Sequence, residues 1–330
     1  MNVLVTGCAG YMGSRLTPEL LRRGYSVIGV DSLVFGDYGI LPVLSHPNFK
    51  FLKQEIESLD RNILKSIDAI IHLAGISTEP SGQYNPRKTD LLNHIATVNL
   101  ASDAKDNGVE RFIFASSASV YYTFDSPNYP IPSKEWDKVN PISAYSLSKR
   151  AAEQGLLELK SEEFLPIILR KGTLYGVSRR MRYDLVWNSF VKNAVTKHEI
   201  VINSLRHIYR PMLDINEAIE AYITALELPT KKVDNTIYNV ASGNYVIEDL
   251  ATSVLELFKD NRSPEVEVKM LDSMITPRNY TLNLDRYRTT FCPNEYPVKD
   301  ELSRIMIDAL SCLDPEHAIY YNDKFLEGKL

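Results

Sequence analysis

Continuous apolar runs alternate with helical spacing through the first half of the chain. Residues 2–6 (NVLVT) form one run and 26–31 (SVIGVD) a second that ends in an acid. Others follow at 49–53 (FKFLK), 69–74 (AIIHLA), 111–117 (RFIFASS) and 165–170 (LPIILR). Runs without polar alternation fit strands covered on both faces. Leu16, Leu20 and Leu21 recur at helical spacing within 11–23, and the pattern predicts further helices over 86–107 and 144–160. Strands alternating with helices predict βαβ units, hence an α/β fold with a doubly wound parallel sheet. After residue 172 the pattern loosens. Helices are expected at 183–195, 216–228, 247–259 and 298–311, and strands at 236–241 and 265–271. This region reads as a smaller second lobe, with the chain returning to the first sheet around 213–241.

The first turn reads VTGCAGYMG. Gly7, Gly10 and Gly13 follow a strand and open a helix, the context of a dinucleotide-binding turn, with spacing G-x-x-G-x-x-G. Gly7 permits the tight turn, Gly10 lets backbone approach a pyrophosphate, and Gly13 lets helix and strand pack closely. The helix N-terminus then holds the phosphates. Asp31 closes the next strand, where a carboxylate accepts from both ribose hydroxyls and repels a 2′-phosphate. NAD is therefore expected over NADP. Downstream, Tyr145 and Lys149 stand four apart in YSLSK, on one face of a helix. A lysine charge there eases ionisation of the phenol, although the spacing alone also suits a solvated helix face.

TGCAGYMG (6–13), HLAG (72–75), SSASVY (116–121) and YSLSK (145–149) occur in this order, and together they closely resemble the extended short-chain dehydrogenase/reductase family of nucleotide-sugar epimerases and dehydratases. LRKGTLYG (169–176), YRPMLDINEA (209–218) and YNVASGNYVIEDLA (238–251) extend the resemblance over nearly the whole chain. It implies a Rossmann-type NAD-binding domain over 1–172, joined by the return segment at 213–241, and a nucleotide-sugar-binding lobe formed mainly by 173–330. It implies Tyr145 as the acid–base on a substrate hydroxyl, with Lys149 lowering its pKa and binding the nicotinamide ribose. Ser117 shares the proton, with Ser116 as the alternate. For the NAD pocket it implies Tyr11 and Met12 on the phosphate loop, Glu55 and Ile56 at the adenine, Leu73, Ala74 and Gly75 at the nicotinamide, and Asn93 on the following helix. For a nucleotide-diphosphate sugar it implies Thr173 and Asn188, with Arg210 and Arg278 pairing the diphosphate through planar forks. His72 reads as a packing residue.

Family 4,6-dehydratases carry an Asp–Glu pair where this chain has Ala118 and Ser119, and the fucose-type epimerase/reductases place a Cys near the Ser that is missing here. The segment 172–190 resembles a subgroup of nucleotide-sugar epimerases that also includes GDP-heptose 4-dehydrogenases. The expected activity is thus NAD-dependent epimerisation of a nucleotide sugar at C4. The alternatives are a 4-dehydrogenase giving a 4-keto sugar and a non-catalytic NAD-binding protein. Tyr122 replaces the usual Gly after VY, at the start of a long Pro-rich loop over 122–142 expected to shape the sugar pocket.

Charge and composition narrow the partners. With 37 basic and 42 acidic side chains the net charge is −5, so neither nucleic acid nor an anionic membrane is an expected partner. No apolar run approaches the ~18 residues of a membrane span. No basic segment with a long apolar stretch opens the chain, and a cytoplasmic protein is expected. Cys8, Cys292 and Cys312 are too dispersed for a disulfide framework or a metal site. The resemblance further implies a homodimer through the helices at 86–107 and 144–160, with Leu92, Ala151 and Leu156 as exposed apolar positions.

Overall fold

The computed structural model describes residues 1–121, 130–203, 207–233, 236–258, 265–271, 279–293, 306–307, 310 and 314–327. Six strands come first: β1 (Asn2–Thr6), β2 (Ser26–Asp31), β3 (Phe49–Lys53), β4 (Ala69–His72), β5 (Arg111–Ser117) and β6 (Leu165–Lys171). The chain then forms β7 (Thr173–Tyr175), β8 (Glu199–Ile202) and β9 (Tyr209–Asp214) outside this sheet. Next, β10 (Ile237–Val240) joins the sheet, and β11 (Gly243–Val246) and β12 (Glu267–Met270) follow. The large sheet has the order β10-β6-β5-β4-β1-β2-β3, with every pairing parallel. A three-stranded sheet, β11-β9-β7, and a two-stranded one, β12-β8, lie beside it.

The continuous apolar runs have the expected cause. Val3 and Val5 of β1 belong to one core cluster and Leu4 to another; on β5, Ile113 and Ala115 likewise face the first, and Phe112 and Phe114 the second. Successive side chains point to opposite faces, so a strand sandwiched between two layers must be apolar at every position. The helices are α1 (Gly13–Arg22), α2 (Glu79–Tyr84), α3 (Pro86–Asp90), α4 (Ala96–Asp106), α5 (Ala144–Leu159), α6 (Val186–Lys197), α7 (Ile215–Glu227), α8 (Ile247–Glu256) and α9 (Asp285–Phe291). Leu16 and Leu20 of α1 with Ala218 and Tyr222 of α7 cover one face; Leu100 of α4 with Ala152 and Leu156 of α5 cover the other.

Two expectations need correction, and a third falls mostly outside the described residues. The helix over 86–107 is broken by a π-helical segment, Leu91–Ile95, between α3 and α4. Most of 298–311 lies outside the described residues. Of the apolar positions expected to be exposed, Leu156 is fully buried in the core, and Leu92 and Ala151 are half-buried. The exposed apolar side chains of these helices are instead Leu91, Ile95 and Leu147.

Candidate functional site

The strand order reverses at β1, where the chain runs to β2 and β3 on one side and to β4, β5 and β6 on the other. Such a switch point opens a crevice beyond the C-terminal strand ends. A cavity of about 1020 Å³ lies there. It is lined by Gly7, Gly10, Tyr11, Met12 and Gly13 from the first turn, Asp31 after β2, Glu55 and Ile56 after β3, and Leu73, Ala74 and Gly75 after β4. Ser116, Ser117, Tyr145, Thr173 and Arg210 line the same cavity. Arg278 lies outside the described residues.

The glycine turn is a cradle that side chains would fill. Gly7 has φ +72°, and a Cβ there would stand 2.8 Å from the Ala74 amide nitrogen. A Cβ on Gly13 would stand 2.1 Å from the Gly7 carbonyl oxygen and 2.6 Å from the Cys8 Cα. Both approaches are below contact distance to backbone, which cannot swing away. Met12 precedes α1 without a side-chain cap, so the helix N-terminus faces the cavity with its dipole available to an anion. Tyr11 ties the turn to the loop after β7: its hydroxyl donates to the Gly176 carbonyl at 2.5 Å.

Asp31 is held by the main chain, accepting from the Ala9 N–H at 3.0 Å and the Leu33 N–H at 2.9 Å. Each carboxylate oxygen retains capacity for a further donor. Burial pushes the Asp31 pKa up, and these two amides oppose it.

At the far end of the cavity, Ser143 and Ser146 form a capping box that fixes the start of α5: each hydroxyl accepts from the other's N–H, at 3.1 and 3.0 Å. Tyr145 therefore sits in the first turn, and Lys149 one turn on. The Tyr145 phenol and Ser117 line the same stretch of the cavity, and Ser117 is near enough to oppose the rise of the phenol's pKa. The Ser117 oxygen in turn accepts from the Ser119 N–H at 3.2 Å and the Ser119 hydroxyl at 2.9 Å. Two donors into one hydroxyl turn its own proton outward, toward the phenol. Ser119 was not singled out for this role by the sequence.

Ser116, the alternate, donates to Glu153 at 2.5 Å. Glu153 also accepts from Arg170 at 2.9 and 2.7 Å, and both members of this ion pair are buried. The pair locks β6 and β5 to α5 directly beneath the site.

Lys149 is buried, with Nζ 4.7 Å from the Phe114 ring centroid and 3.8 Å from where a Cβ on Gly75 would lie. Burial, with Lys171 nearby, pushes its pKa down to about 7. Burial pushes the Tyr145 phenol up to about 12, opposed by Ser117. Thus the protein's own groups move the phenol away from ionisation.

Three expected site residues, Lys149, Asn93 and Asn188, are not among those that line the cavity. Asn93 does not line the cavity: its amide clamps the loop after β4, accepting from the Ile76 N–H at 2.8 Å and donating to the Ile76 carbonyl at 2.9 Å and to Ser148 at 3.1 Å. Asn188 does not line it either; it accepts from the Gly176 N–H at 3.1 Å and donates to the Arg182 carbonyl at 2.9 Å and to Tyr11 at 3.1 Å. Both amides spend both N–H donors on the protein and position loops. His72 packs as expected, between Thr6 and Thr97 at 2.8 and 2.9 Å, and burial holds its pKa down near 3.

Sequence reasoning missed Lys171, Arg180 and Arg182, all on the cavity wall. Arg180 stacks 3.9 Å from the Phe35 ring centroid and donates to Asn322 at 2.6 Å. Asn322 donates to Ser77 at 2.7 Å. The helix Asn322–Leu326 thereby spans the cavity between the loops after β2 and β4. Among the described residues no cluster of His, Cys, Asp and Glu could hold a metal, and no helix is long and apolar enough to cross a membrane.

Comparison with known proteins agrees with this geometry. Residues 3–241 match the NAD dependent epimerase/dehydratase family. The chain is 28% identical over 232 residues to UDP-glucuronic acid decarboxylase 1 of Arabidopsis thaliana, a match covering 69% of this chain and only about half, 52%, of that protein. The fold resembles UDP-N-acetylglucosamine 4-epimerase from Methanobrevibacter ruminantium M1, with TM-score 0.80, 24% identity and coverage of 94% and 97% of the two chains. It also resembles UDP-glucuronic acid 4-epimerase from Bacillus cereus in complex with UDP-glucuronic acid and NAD, with TM-score 0.79, 22% identity and coverage of 94% and 99%.

Proposed function

Because the chain belongs to the NAD dependent epimerase/dehydratase family, we propose that it is an NAD-dependent nucleotide-sugar epimerase acting at C4 of the sugar. The observation that carries this reading is that Ser117 and Tyr145 line one cavity together with the glycine turn. That cradle fits a dinucleotide: the glycine turn and the start of α1 would hold the pyrophosphate, Asp31 the adenosine ribose, Glu55 and Ile56 the adenine edge, and Leu73 to Gly75 the nicotinamide side. NAD supplies the hydride acceptor and, in its oxidised form, a positive charge beside the phenol.

Tyr145 works against its burial. Its pKa near 12 must fall for the phenolate to act near neutrality, and a cation on the cofactor together with Lys149 supplies that field. Tyr145 then takes the proton of the C4 hydroxyl as the carbinol becomes a carbonyl, and Ser117 donates a hydrogen bond to the same oxygen. With the ring turned, Tyr145 would return the proton to the oxygen as the hydride comes back to the opposite face of the C4 carbonyl, and inversion would be complete. Thr173 and Arg210, with Arg278, are the proposed contacts of the nucleotide-sugar, whose lobe is formed mainly by residues after 172.

An epimerase keeps its cofactor between half-reactions whereas a dehydrogenase must exchange it, and the bonds of Asn322 to Arg180 and Ser77, which hold the helix Asn322–Leu326 on the cavity wall, support the epimerase reading. We further propose a cytoplasmic homodimer joined through the face bearing Leu91, Ile95 and Leu147. The test of the catalytic assignment is Tyr145→Phe. Turnover of the nucleotide-sugar substrate falls about 10²–10⁴-fold while NAD stays bound; unchanged turnover would sink the assignment.

A further inference from the structure

Ser117 and Lys171 are register partners on β5 and β6, at the C-terminal end of each strand. Cross-strand partners leave the same face of a sheet, about 4.8 Å apart at the backbone. Ser117, Tyr145 and Lys171 line the same cavity.

The charges around Lys171 do not balance it. Among the described residues its ammonium makes no hydrogen bond and no ion pair. Its neighbours are Lys149 from α5, Arg182 from the loop after β7, and the Tyr222 ring of α7, whose centroid is 5.9 Å from Nζ. Arg182 is neutralised bidentately by Asp184, at 3.0 and 2.6 Å. Glu153 is turned to Arg170. Glu79 acts on Tyr145. Lys171 is left as a cation without a counter-charge, one strand from the hydroxyl pair that would grip the C4 oxygen.

We propose that Lys171 selects a nucleotide sugar whose ring carries a carboxylate on the carbon next to C4, a hexuronate, by pairing with that carboxylate. This rests on the C4 reading above. Burial, reinforced by Arg182, brings the Lys171 pKa down to about 8, so an incoming anion also secures its proton.

The experiment measures binding to the NAD-loaded protein by calorimetry for matched pairs, UDP-glucose against UDP-glucuronic acid and GDP-mannose against GDP-mannuronic acid. Wild type prefers the uronate by about 30-fold or more in the pair with the accepted base, as a charge-assisted hydrogen bond would give. Lys171→Met brings that ratio to within about 3-fold of unity, and Lys171→Arg, which keeps the charge, restores most of it. Equal or tighter binding of the hexose by wild type overturns the proposal. So does no binding of either uronate, or an equal loss for both sugars in Lys171→Met, which would place the lysine on the shared diphosphate. Binding is read apart from turnover: an intact uronate preference without any epimer formed would count against the epimerase reading and not against Lys171.

Discussion

Glu153→Gln tests the physical basis of the site most severely. Glu153 and Arg170 are 0% and 1% exposed, and the carboxylate accepts from the guanidinium at 2.9 and 2.7 Å. It also accepts from Ser116 at 2.5 Å and from Arg150 at 3.1 Å. The substitution keeps the shape but removes the charge, and it turns an amide N–H₂ toward donors that need an acceptor. Arg170 keeps bonds to the Tyr121 hydroxyl at 2.6 Å and the Glu135 carbonyl at 3.1 Å, so its charge stays buried without an opposing one. Removing one partner of a buried ion pair costs about 3–5 kcal/mol. That is a large share of the roughly 5–15 kcal/mol that holds a folded domain. Urea denaturation at pH 7 reads the loss as a lower midpoint at constant slope. The companion Glu153→Leu/Arg170→Met should lie closer to wild type than either single change, because it removes the stranded charge. A loss below about 1 kcal/mol for Glu153→Gln would refute the claim that this pair locks β5 and β6 to α5.

Further predictions follow from the same geometry. Gly13→Ala places a methyl 2.1 Å from the Gly7 carbonyl oxygen, and fluorescence titration should show NAD affinity weakened by about 100-fold or more. Asp31→Ser removes the carboxylate opposite a 2′-phosphate, so the ratio of NADP to NAD affinity should rise; an unchanged ratio would discard the ribose assignment. Lys149→Met should abolish turnover yet stabilise the fold. Lys149 titrates near 7 when folded against 10.5 unfolded, so below pH 7 it is charged in both states and the folded state carries the full cost of burial. Between those values the folded chain has lost a proton that the unfolded chain keeps, and its contribution to stability rises with pH. The gain in Lys149→Met, on the order of a few kcal/mol at pH 6, should therefore vanish above pH 10.5.

The large sheet was legible because its strands are buried on both faces. Val3, Leu4 and Val5 leave no alternative to a covered strand. The short strands of the second lobe were not, since Thr173–Tyr175 and Gly243–Val246 acquire strand character only by pairing with β9. Within the site, Gly7, Asp31, Ser117 and Tyr145, each picked out by a motif, line one cavity. Asn93 and Asn188 lie off the cavity lining for a physical reason: a resemblance places an amide near a pocket but does not say which backbone groups it will bond. Lys171 and Arg182 were visible as charges in otherwise apolar or turn-forming stretches. Only the register of β5 with β6, and the fold of the loop after β7, brings them to Tyr145.

The most direct test incubates the purified protein with NAD⁺ and a panel of UDP-, GDP-, dTDP- and CDP-sugars, following proton NMR and absorbance at the NADH band together. We expect a C4 epimer to accumulate with no net NADH. Stoichiometric NADH with a 4-keto product would contradict the epimerase account.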